Sequence, residues 1–360
     1  MEKLQPEKLV LAVHGQNGFA MYRVPGLIVT EAGTVLAYCE GRGTINKPET
    51  RSLLLFRSED GGQTFSERQK LVDSSGNAMV HNPLMIAGRG HEVHFLWNES
   101  YSRCFYKKSS DDGQTWGETT DLTPLIEEYR SSYPWTVYAL APGHGIQMRK
   151  GTLVVPLWLS CGINAHQPAC FSSIYSEDGG ATWNRSSLVR TNDHVTDPTE
   201  GAIAEKKDGT LLATVRHSAA LTRKRAFIDG GPYHWGRAFL KEQLPDPICA
   251  GSIFRLDEET LLFCNCANED LPALKAIRQE GSRIKWSDDA RKNLTIRISG
   301  DDGCTWSNGY LVEACAGYSD LSASPDHKWV YCFYESGWID GNCIFNQSLS
   351  FSRIPAGWIK

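Results

Sequence analysis

An eight-residue pattern that occurs four times limits what this chain can fold into more than any other feature of its sequence. It reads SEDGGQTF at residues 58–65 and returns as SSDDGQTW at 109–116, SEDGGATW at 176–183 and SGDDGCTW at 299–306. Serine and aspartate before glycine cap a tight turn through hydrogen bonds from side chain to backbone, glycine supplies a positive φ, and the final aromatic residue can fill the space between neighbouring sheets. A calcium or phosphate loop is the alternative, but the octad lacks the ligand number of an EF-hand and the lysine of a P-loop. We therefore interpret the octad as a staple of a β-hairpin and not as catalytic machinery.

The spacing of the octads indicates a repeated β unit. Successive octads start 51, 67 and 123 residues apart, and the last gap is close to two of the shorter ones. A unit of about 60 residues with one degraded copy predicts six units in 360 residues. Strand-length apolar runs such as VLAYCEG, TLLATVRH and KWVYCFYE lie between turn residues, and a helical turn or two is expected near LTPLIEEYR. We predict an all-β fold, a six-bladed β-propeller that comprises residues 1–360 as a single domain.

Charge and hydropathy exclude several classes of partner. The net charge of −5 and the pI near 6.1 give no electrostatic reason to expect nucleic acid or an anionic membrane as a partner, although a local basic pocket for a small anion is compatible with them. The most apolar stretch, GTLVVPLWLSCGI, is shorter than the roughly 20 apolar residues that a membrane span needs. The first residues, MEKLQPEKLVLAVHG, do not have the pattern of a signal peptide. The sequence as given predicts a soluble, cytoplasmic protein and leaves its oligomeric state open.

The eleven cysteines are scattered, odd in number and mostly embedded in strand-like segments. We expect them to be buried, reduced thiols in a protein of a reducing compartment. The close pair in FCNCAN at residues 263–268 has one intervening residue and no matching pair elsewhere, so a zinc site is not expected. No metal and no organic cofactor is predicted.

The octads occur together with YRVPGL at residues 22–27, and this combination carries a family resemblance. The sequence resembles the exo-sialidases, or neuraminidases, which are marked by Asp boxes of this form and by a Phe/Tyr-Arg-Ile/Val-Pro motif. The resemblance extends from Arg23 to CFYES at residues 332–336, which is nearly the whole chain. It implies a glycosidase that cleaves terminal α-linked sialic acid from oligosaccharides, glycoproteins or glycolipids with retention and with a tyrosine nucleophile. It also implies that the Asp boxes lie on the propeller rim, away from the active site.

The chemistry of such a substrate directs attention to arginines. Sialic acid carries a carboxylate on its anomeric carbon, and planar guanidinium groups can chelate that carboxylate in a fixed geometry. Family members use three arginines, and the resemblance assigns these to Arg23 in YRVP, Arg216 in TLLATVRHS and Arg291 in DDARKNLTIRIS. Glu335 in FYES matches the family glutamate that holds the first arginine in place.

The same carboxylate makes an anionic nucleophile unfavourable, because two anions would have to approach each other. Tyr318 in AGYSDLS lies where the family has its nucleophile. A phenol with an ordinary pKa near 10 needs a base, and Glu200 in DPTEGAIAE matches the family partner. Glu200 precedes Arg216 by 16 residues, as one hairpin would require. Glu205 competes for the role of base, but it precedes KKDG and is expected to line a solvated turn.

The sequence departs from the family at the residue that protonates the leaving oxygen. The family carries an aspartate on a mobile loop after its second strand, but here the segment from Gly41 through Ser58 contains no aspartate. Counting back from the LLLFRS strand puts Lys47 in that position, and a lysine cannot serve as a carboxylic acid catalyst without a large pKa depression. Lys47 is therefore grouped with the substrate-binding candidates.

Three explanations for this loop stay open. In the first, Glu49, the only carboxylate on the loop proper, acts as the acid/base. In the second, the enzyme works without that acid on good leaving groups, gives an unsaturated or anhydro product, or recruits an acid from elsewhere. In the third, catalysis is lost and a sialic-acid-binding propeller remains. Since a protein that only binds would not need Tyr318 and Glu200, we favour the enzyme. Arg42 in EGRG matches a pocket arginine of some relatives. We expect Arg42 either to bind the glycerol or N-acyl side of the sugar or to pair with Glu49. Asn82 in HNP resembles a pocket-lining residue of the family.

Overall fold

The computed structural model of the protein describes residues 4–43, 50–162, 166–218, 224–269, 278–280, 283–285, 291–339 and 342–359. These residues form an almost entirely β structure, which confirms the all-β prediction. The helical turns expected near LTPLIEEYR are present as α1 (Thr123–Glu127) and a following 3-10 turn (Glu128–Ser131), and a second 3-10 turn covers Ala356–Trp358. None of the described helices could cross a membrane.

Twenty-six strands, numbered in chain order, make up the described fold. They are β1 (Glu7–Val13), β2 (Met21–Val29), β3 (Val35–Arg42), β4 (Arg51–Ser58), β5 (Gln69–Asp73), β6 (Val80–Ala87), β7 (Val93–Glu99), β8 (Arg103–Ser109), β9 (Thr120–Asp121), β10 (Val137–Leu140), β11 (Ile146–Gln147), β12 (Leu153–Ser160), β13 (Ala169–Ser176), β14 (Asn184–Arg185), β15 (Gly201–Glu205), β16 (Leu211–Val215), β17 (Lys224–Gly230), β18 (Phe239–Pro245), β19 (Ser252–Arg255), β20 (Leu261–Cys266), β21 (Arg278–Glu280), β22 (Arg283–Lys285), β23 (Lys292–Ser299), β24 (Tyr310–Ala323), β25 (Trp329–Ile339) and β26 (Asn342–Pro355).

The strands form successive antiparallel sheets. The first four sheets have the orders β2-β3-β4-β5, β6-β7-β8-β9, β10-β12-β13-β14 and β15-β16-β17-β18, with β11 as an extra partner of β12, and β21 and β22 form a small separate ribbon. A seven-stranded sheet, β19-β20-β23-β24-β25-β26-β1, completes the described strands. We divide it at β24 into a fifth unit, β19-β20-β23-β24, and a sixth unit, β24-β25-β26-β1. This division gives six units of four strands among the described residues, while the number of blades stays a prediction.

Strand β24 passes from the fifth unit into the sixth. Its first part pairs with β23 up to Cys315, and its second part pairs with β25 from Ala316 onward. At the other end of the chain, β1 pairs with β26 and so joins the first residues to the last unit. The inner strands also contact one another from unit to unit, including β2 with β24. The described units therefore follow one another in a closed arrangement typical of a propeller.

Buried polar side chains connect neighbouring units at one end of the strands. A carboxylate or amide near the end of the second strand of one unit accepts a hydrogen bond from the backbone of the first strand of the next unit. The three pairs are Glu40 with the N–H of Asn82 at 2.7 Å, Asn98 with the N–H of Leu140 at 2.7 Å, and Glu335 with the N–H of Val24 at 3.2 Å. Because such groups are costly to bury without partners, these contacts fix the units relative to one another.

The octads have the geometry that the sequence predicts for a staple. In the first octad, Asp60 accepts hydrogen bonds from the N–H of Thr64 at 2.9 Å and from its hydroxyl at 2.6 Å, while the N–H of Gly62 donates to the Ser58 hydroxyl at 2.9 Å. The other three octads repeat these contacts. Each octad follows the third strand of its unit. In the first unit Ser58 pairs with the start of β3, at the end remote from Arg23, so the octad lies away from that arginine.

The aromatic residues that close the octads fill the space between units, as predicted. The ring of Phe65 lies 4.9 Å from that of Phe351 in the sixth unit, and Trp183 lies 5.4 Å from Tyr106 in the second unit. Trp306 packs in the same way against Phe227 and Phe263. In the fourth unit, the connection from β17 to β18 holds the degraded copy, since it has no octad but keeps the buried Trp235.

The expectation of reduced thiols is wrong for two of the cysteines. Cys315 and Cys343 form a disulfide, with their Cα atoms 5.5 Å apart. Cys315 is in β24 and Cys343 near the start of β26, so the bond joins two strands that are not neighbours in the sixth unit. The remaining nine cysteines are free thiols, most of them buried, as expected.

Candidate active site

The structure brings the described residues of the sequence-predicted site together at one end of the units. Glu200 and Arg216 flank the β15–β16 hairpin, where the N–H of Arg216 donates to the carbonyl of Glu200 at 2.9 Å. The predicted 16-residue hairpin spacing is therefore confirmed. Tyr318 lies in β24 where that strand changes units, and it interrupts the β24–β25 ladder between Ala316 and Ser319. This irregularity lets the Tyr318 side chain point toward the hairpin that carries Glu200.

Tyr318, Glu200 and Arg216 form a compact hydrogen-bonded cluster. The Tyr318 hydroxyl lies 2.6 Å from Oε1 and 2.8 Å from Oε2 of Glu200. One guanidinium nitrogen of Arg216, Nη1, donates to Glu200 Oε2 at 2.7 Å and to the Tyr318 hydroxyl oxygen at 2.8 Å. Tyr318 and Glu200 are 7% and 8% exposed. In a site of this burial each charge strongly affects its neighbours.

These contacts determine which group carries the charge. Burial alone would raise the pKa of Glu200, but Arg216 and the Tyr318 hydroxyl outweigh it and leave that pKa below its ordinary value of 4.5. Burial and the nearby Glu200 carboxylate raise the pKa of Tyr318 well above 10, against the opposing effect of the arginines. Near neutral pH the cluster therefore holds a neutral phenol against a carboxylate, which is the arrangement that a base-assisted oxygen nucleophile needs.

Arg23 is held in place by Glu335. Nε of Arg23 donates to Glu335 Oε1 at 2.5 Å, and Glu335 Oε2 accepts the N–H of Tyr318 at 3.1 Å. Glu335 is fully buried, and it also raises the pKa of Arg23 above its ordinary value, against the opposing effect of burial. One carboxylate thus connects the predicted first arginine to the backbone of the predicted nucleophile.

The YRVP motif has a specific backbone role. Val24 has a φ of 59°, which is unfavourable for a β-branched residue, and the β2–β3 ladder shifts register between Arg23 and Gly26. Asn82 before Pro83 repeats this feature in β6, with a φ of 49° and a register shift at the same place in the strand. We conclude that the motif is a bulge that directs the preceding side chain into the site. The N–H of each left-handed residue donates to a buried carboxylate, which compensates the strain.

Arg291 completes the predicted set of three arginines. Its guanidinium carbon lies 5.5 Å from the centre of the Tyr318 ring, and that of Arg23 lies 5.4 Å from the same ring. Both guanidiniums also face the ring of Phe345, at 4.9 Å for Arg291 and 5.6 Å for Arg23. Arg23, Arg216 and Arg291 therefore all lie beside Tyr318. Sequence reasoning missed Phe345, because a lone phenylalanine in a strand gives no signal beyond core packing.

Arg42 pairs with a carboxylate that sequence reasoning also missed. Glu40 Oε2 accepts from Nε of Arg42 at 2.7 Å and from Nη1 of Arg51 at 3.2 Å. Burial would raise the pKa of Glu40, but these two arginines, with smaller contributions from His81 and the N–H of Asn82, lower it to about 2. Glu40 is therefore a permanent carboxylate and is unsuited to replace the missing acid. The alternation of Glu40 and Arg42 in one strand was the available signal, because residues two apart share a face.

Asn82 has a supporting position beside this pair. Its side-chain nitrogen donates to the carbonyl of Leu140 at 2.7 Å, and its side-chain oxygen accepts from Nδ1 of His81 at 2.9 Å. Burial lowers the pKa of His81 to about 4, so this imidazole is neutral. The Asn82 amide is thus engaged by protein groups, and its predicted contact with a ligand stays a prediction.

The remaining candidates divide into two cases. Lys47 and Glu49 lie outside the described residues, so the identity of the acid stays open. Glu205 is at the opposite end of β15 from Glu200, where its carboxylate pairs with Arg149 at 3.1 Å and borders a separate cavity of about 300 Å³. The preference for Glu200 over Glu205 is consistent with this placement, although Glu205 is partly buried and not in an open turn.

Comparison with known proteins places this geometry in context. Residues 87–328 match the model of the BNR repeat-like domain. A sialidase of Micromonospora viridifaciens is 28% identical over 384 aligned positions, which cover 92% of this chain and 54% of the relative. An exo-alpha-sialidase of Aspergillus fumigatus is 25% identical, with coverage of 98% of this chain and 87% of the relative. The chain thus spans about half the length of the bacterial relative.

Two solved structures have a similar fold. The Hadza microbial sialidase Hz136 superposes with a TM-score of 0.74 at 22% identity, covering 98% of this chain and 69% of that one. The Trypanosoma rangeli sialidase in complex with 2,3-difluorosialic acid, a covalent intermediate, superposes with a TM-score of 0.73 at 17% identity, covering 97% and 58%. At these identities the similarity establishes the fold, which agrees with the predicted propeller architecture.

Proposed function

As the chain belongs to the BNR repeat-like domain family, we propose that it is an exo-sialidase, a glycoside hydrolase that releases terminal α-linked sialic acid from oligosaccharides, glycoproteins or glycolipids. The observation that carries the proposal is the buried Tyr318 hydroxyl, bonded to both Glu200 and Arg216 and flanked by Arg23 and Arg291. The sialidase names of the relatives support the same substrate class.

The arginines explain how this substrate is recognised. Arg23 and Arg291 lie close to the Tyr318 ring and Arg216 contacts its hydroxyl, so the three positive charges can bind the carboxylate on the anomeric carbon of sialic acid. Binding that carboxylate there brings the anomeric carbon to the Tyr318 hydroxyl. Neutral sugars lack the carboxylate that these guanidinium groups can chelate, so they are expected to bind poorly.

The proposed reaction proceeds in two steps with retention. In the first step the Tyr318 oxygen forms a bond to the anomeric carbon, its proton passes to Glu200, and the bond to the leaving oxygen breaks. In the second step water attacks the same carbon and gives one proton to the group that protonated the leaving oxygen. The bond to Tyr318 breaks, and Glu200 returns its proton to the phenol. Arg216, which contacts both groups, stabilises the negative charge that moves between them. The proton that the leaving oxygen needs comes from a group that is not yet assigned.

A sialic-acid-binding protein without turnover is the second candidate, and its basis is Lys47 in place of the family aspartate. The two candidates share the arginines but differ in the need for Tyr318 and Glu200. Loss of a general acid costs about 10²- to 10⁴-fold in rate and leaves measurable activity on a substrate with a good leaving group. Substrates with different leaving groups therefore separate the candidates.

The test compares the wild type with Tyr318→Phe, and with Tyr233→Phe as a matched control on the surface. A 4-methylumbelliferyl sialoside tests turnover with a good leaving group, and proton NMR of an α2,3-sialyllactose digest identifies the product. We expect α-sialic acid as the first product, no turnover by Tyr318→Phe and normal turnover by Tyr233→Phe. Full activity of Tyr318→Phe would refute the mechanism, and binding without turnover of either substrate by the wild type would favour the second candidate.

Running the NMR assay with Glu49→Gln addresses the missing acid. If Glu49→Gln loses much more activity on sialyllactose than on the 4-methylumbelliferyl sialoside, Glu49 is identified as the acid, because only the poor leaving group needs protonation. Equal activity of Glu49→Gln and wild type on both substrates excludes Glu49. An unsaturated or anhydro product would instead indicate an altered reaction.

A further inference from the structure

The end of the β25–β26 hairpin extends past the rest of the sixth unit. β1 pairs with β26 over residues 348–353, while among the described strands Asn342 and Cys343 pair with β25 alone. That pairing resumes after a register shift, with Trp338 opposite Cys343. A two-stranded ribbon is marginally stable by itself. The position of this hairpin end therefore depends on its other contacts.

Phe345 reaches from this hairpin end into the site. Its side chain is buried, and its ring faces the guanidiniums of both Arg23 and Arg291. Two guanidiniums near one another repel, and a ring whose negative π face lies close to both offsets part of that repulsion. The chain makes room for the ring at Gly317, where a Cβ atom would lie 2.5 Å from Phe345 and 2.5 Å from Glu335.

The disulfide is the tether that holds this hairpin end. Cys343 lies two residues before Phe345, and Cys315 lies three residues before Tyr318. Sγ of Cys343 is 3.9 Å from the backbone carbonyl oxygen of Arg291. One covalent bond thus joins the segment that carries Phe345 to the strand that carries Tyr318, directly beside the backbone of Arg291.

We propose that Phe345 is a positioning residue for Arg23 and Arg291, and that the Cys315–Cys343 disulfide keeps its ring beside both guanidiniums, so that affinity for the sialic acid carboxylate depends on the oxidised state of this bond. The inference rests on the proposed function and adds a redox dependence to it. Phe345 acts through the arginines, because its ring sets the distance and orientation of two groups that must converge on one carboxylate.

The redox step is simple in its chemistry. A phosphine reductant gives two electrons to the S–S bond, which becomes two protonated thiols, while the phosphine takes up the oxygen of one water molecule and becomes its oxide. Reduction frees the hairpin end, and Phe345 then leaves the arginines for part of the time. The affinity for a carboxylate ligand falls accordingly, because the competent arrangement is only partly populated.

The first experiment compares Phe345→Leu with Phe345→Tyr by calorimetry, with 2-deoxy-2,3-didehydro-N-acetylneuraminic acid as the carboxylate probe. Loss of the ring at two cation contacts should raise Kd about tenfold in Phe345→Leu, while Phe345→Tyr, which keeps the ring, should bind within about threefold of wild type. With a sialoside substrate, KM should rise more than kcat falls, and the melting temperatures should stay close. Wild-type affinity of Phe345→Leu, or equal losses in both variants, would overturn the proposal.

The second experiment tests the tether. Treatment with a phosphine should weaken binding of the same probe, and reoxidation should restore it. The double variant Cys315→Ser/Cys343→Ser should bind as weakly as the reduced wild type and should not respond to the reductant, whereas Cys304→Ser, which removes an exposed free thiol, should behave as wild type. Unchanged affinity of the double variant would overturn the role of the disulfide.

The proposed sialidase function and the positioning role of Phe345 can be refuted separately. If the wild type neither binds the probe nor cleaves a sialoside, the proposed function is refuted, and this inference with it. If the wild type does both and Phe345→Leu does the same, the proposed function stands and this inference alone is refuted.

Discussion

Replacing Glu335 by glutamine should damage both folding and function, because this carboxylate serves both. It is fully buried and accepts from Nε of Arg23 at 2.5 Å, the N–H of Tyr318 at 3.1 Å and the N–H of Val24 at 3.2 Å. Glutamine has the same shape, but it is neutral and turns one of the two oxygens into a donor. At least one of the three donors then faces the amide NH₂ group, and the guanidinium of Arg23 loses its buried counter-ion.

The size of the effect follows from these contacts. Removing one partner of a buried ion pair costs about 3–5 kcal/mol. Because the Glu335 side chain is fully buried but that of Arg23 is 16% exposed, we expect the lower end of this range, about 3 kcal/mol. For a chain of 360 residues, a loss of about 3 kcal/mol lowers Tm by about 4 °C. Displacement of Arg23 by about 1 Å should lower kcat/KM for a sialoside by roughly 10²-fold.

The assay combines thermal unfolding with sialoside kinetics. Glu127→Gln is the matched control, since Glu127 and its partner Arg130 are both about half exposed and an exposed pair contributes about 0–1 kcal/mol. We expect the control to keep the wild-type Tm and activity. If Glu335→Gln melted within about 1 °C of the wild type and kept its activity, Glu335 would not hold Arg23 as the geometry indicates.

Two further predictions concern pH and the octads. Burial would raise the pKa of Glu200, but Arg216 and Tyr318 hold it below 4.5. We therefore expect kcat/KM to stay constant as the pH falls to about 4.5 and to decline below it, and the stability that ionised Glu200 provides to be lost over the same range. A decline in kcat/KM that begins well above pH 5 would contradict this. Asp60→Asn should cost about 1 kcal/mol of stability and leave kcat/KM unchanged, since the octad lies away from Arg23. Desolvation would raise the pKa of Asp60, but hydrogen bonds from Thr64, Ser58 and Gln63 together outweigh it and lower that pKa from 3.8 to about 2. The stability advantage of the wild type over Asp60→Asn should therefore be present above about pH 4 and vanish as the pH falls through 2. An advantage that persisted at pH 2 in thermal unfolding would argue against the hydrogen bonds.

The elements that the sequence could predict are those set by local pattern. The apolar runs VLAYCEG, TLLATVRH and KWVYCFYE correspond to the strands β3, β16 and β25, because alternation and turn residues act over a few positions. The octads could be interpreted as staples for the same reason, since every contact of Asp60 is within four residues of it. The pairing of Glu200 with Arg216 could be predicted because one hairpin connects them.

The parts that could not be predicted depend on contacts far apart in sequence. Arg23 and Glu335 are 312 positions apart, and only the family resemblance connected them. No sequence pattern pairs Cys315 with Cys343, because their proximity arises from the change of β24 between two units. Glu40 was overlooked as well, since its partner Asn82 belongs to the next unit.

The contacts also indicate which residues are expected in an enzyme but not in a protein that only binds sialic acid. Glu335 and Glu40 connect neighbouring units, so a propeller of this kind would retain them with or without catalysis. Glu200 is different: within the described part of the chain its carboxylate bonds to the Tyr318 hydroxyl and the Arg216 guanidinium, and it connects no backbone of another unit. Binding a carboxylate would be easier without this anion beside the arginines, because it neutralises one of them. Under the proposed mechanism this buried carboxylate has a task beyond binding, which is to accept the proton of Tyr318.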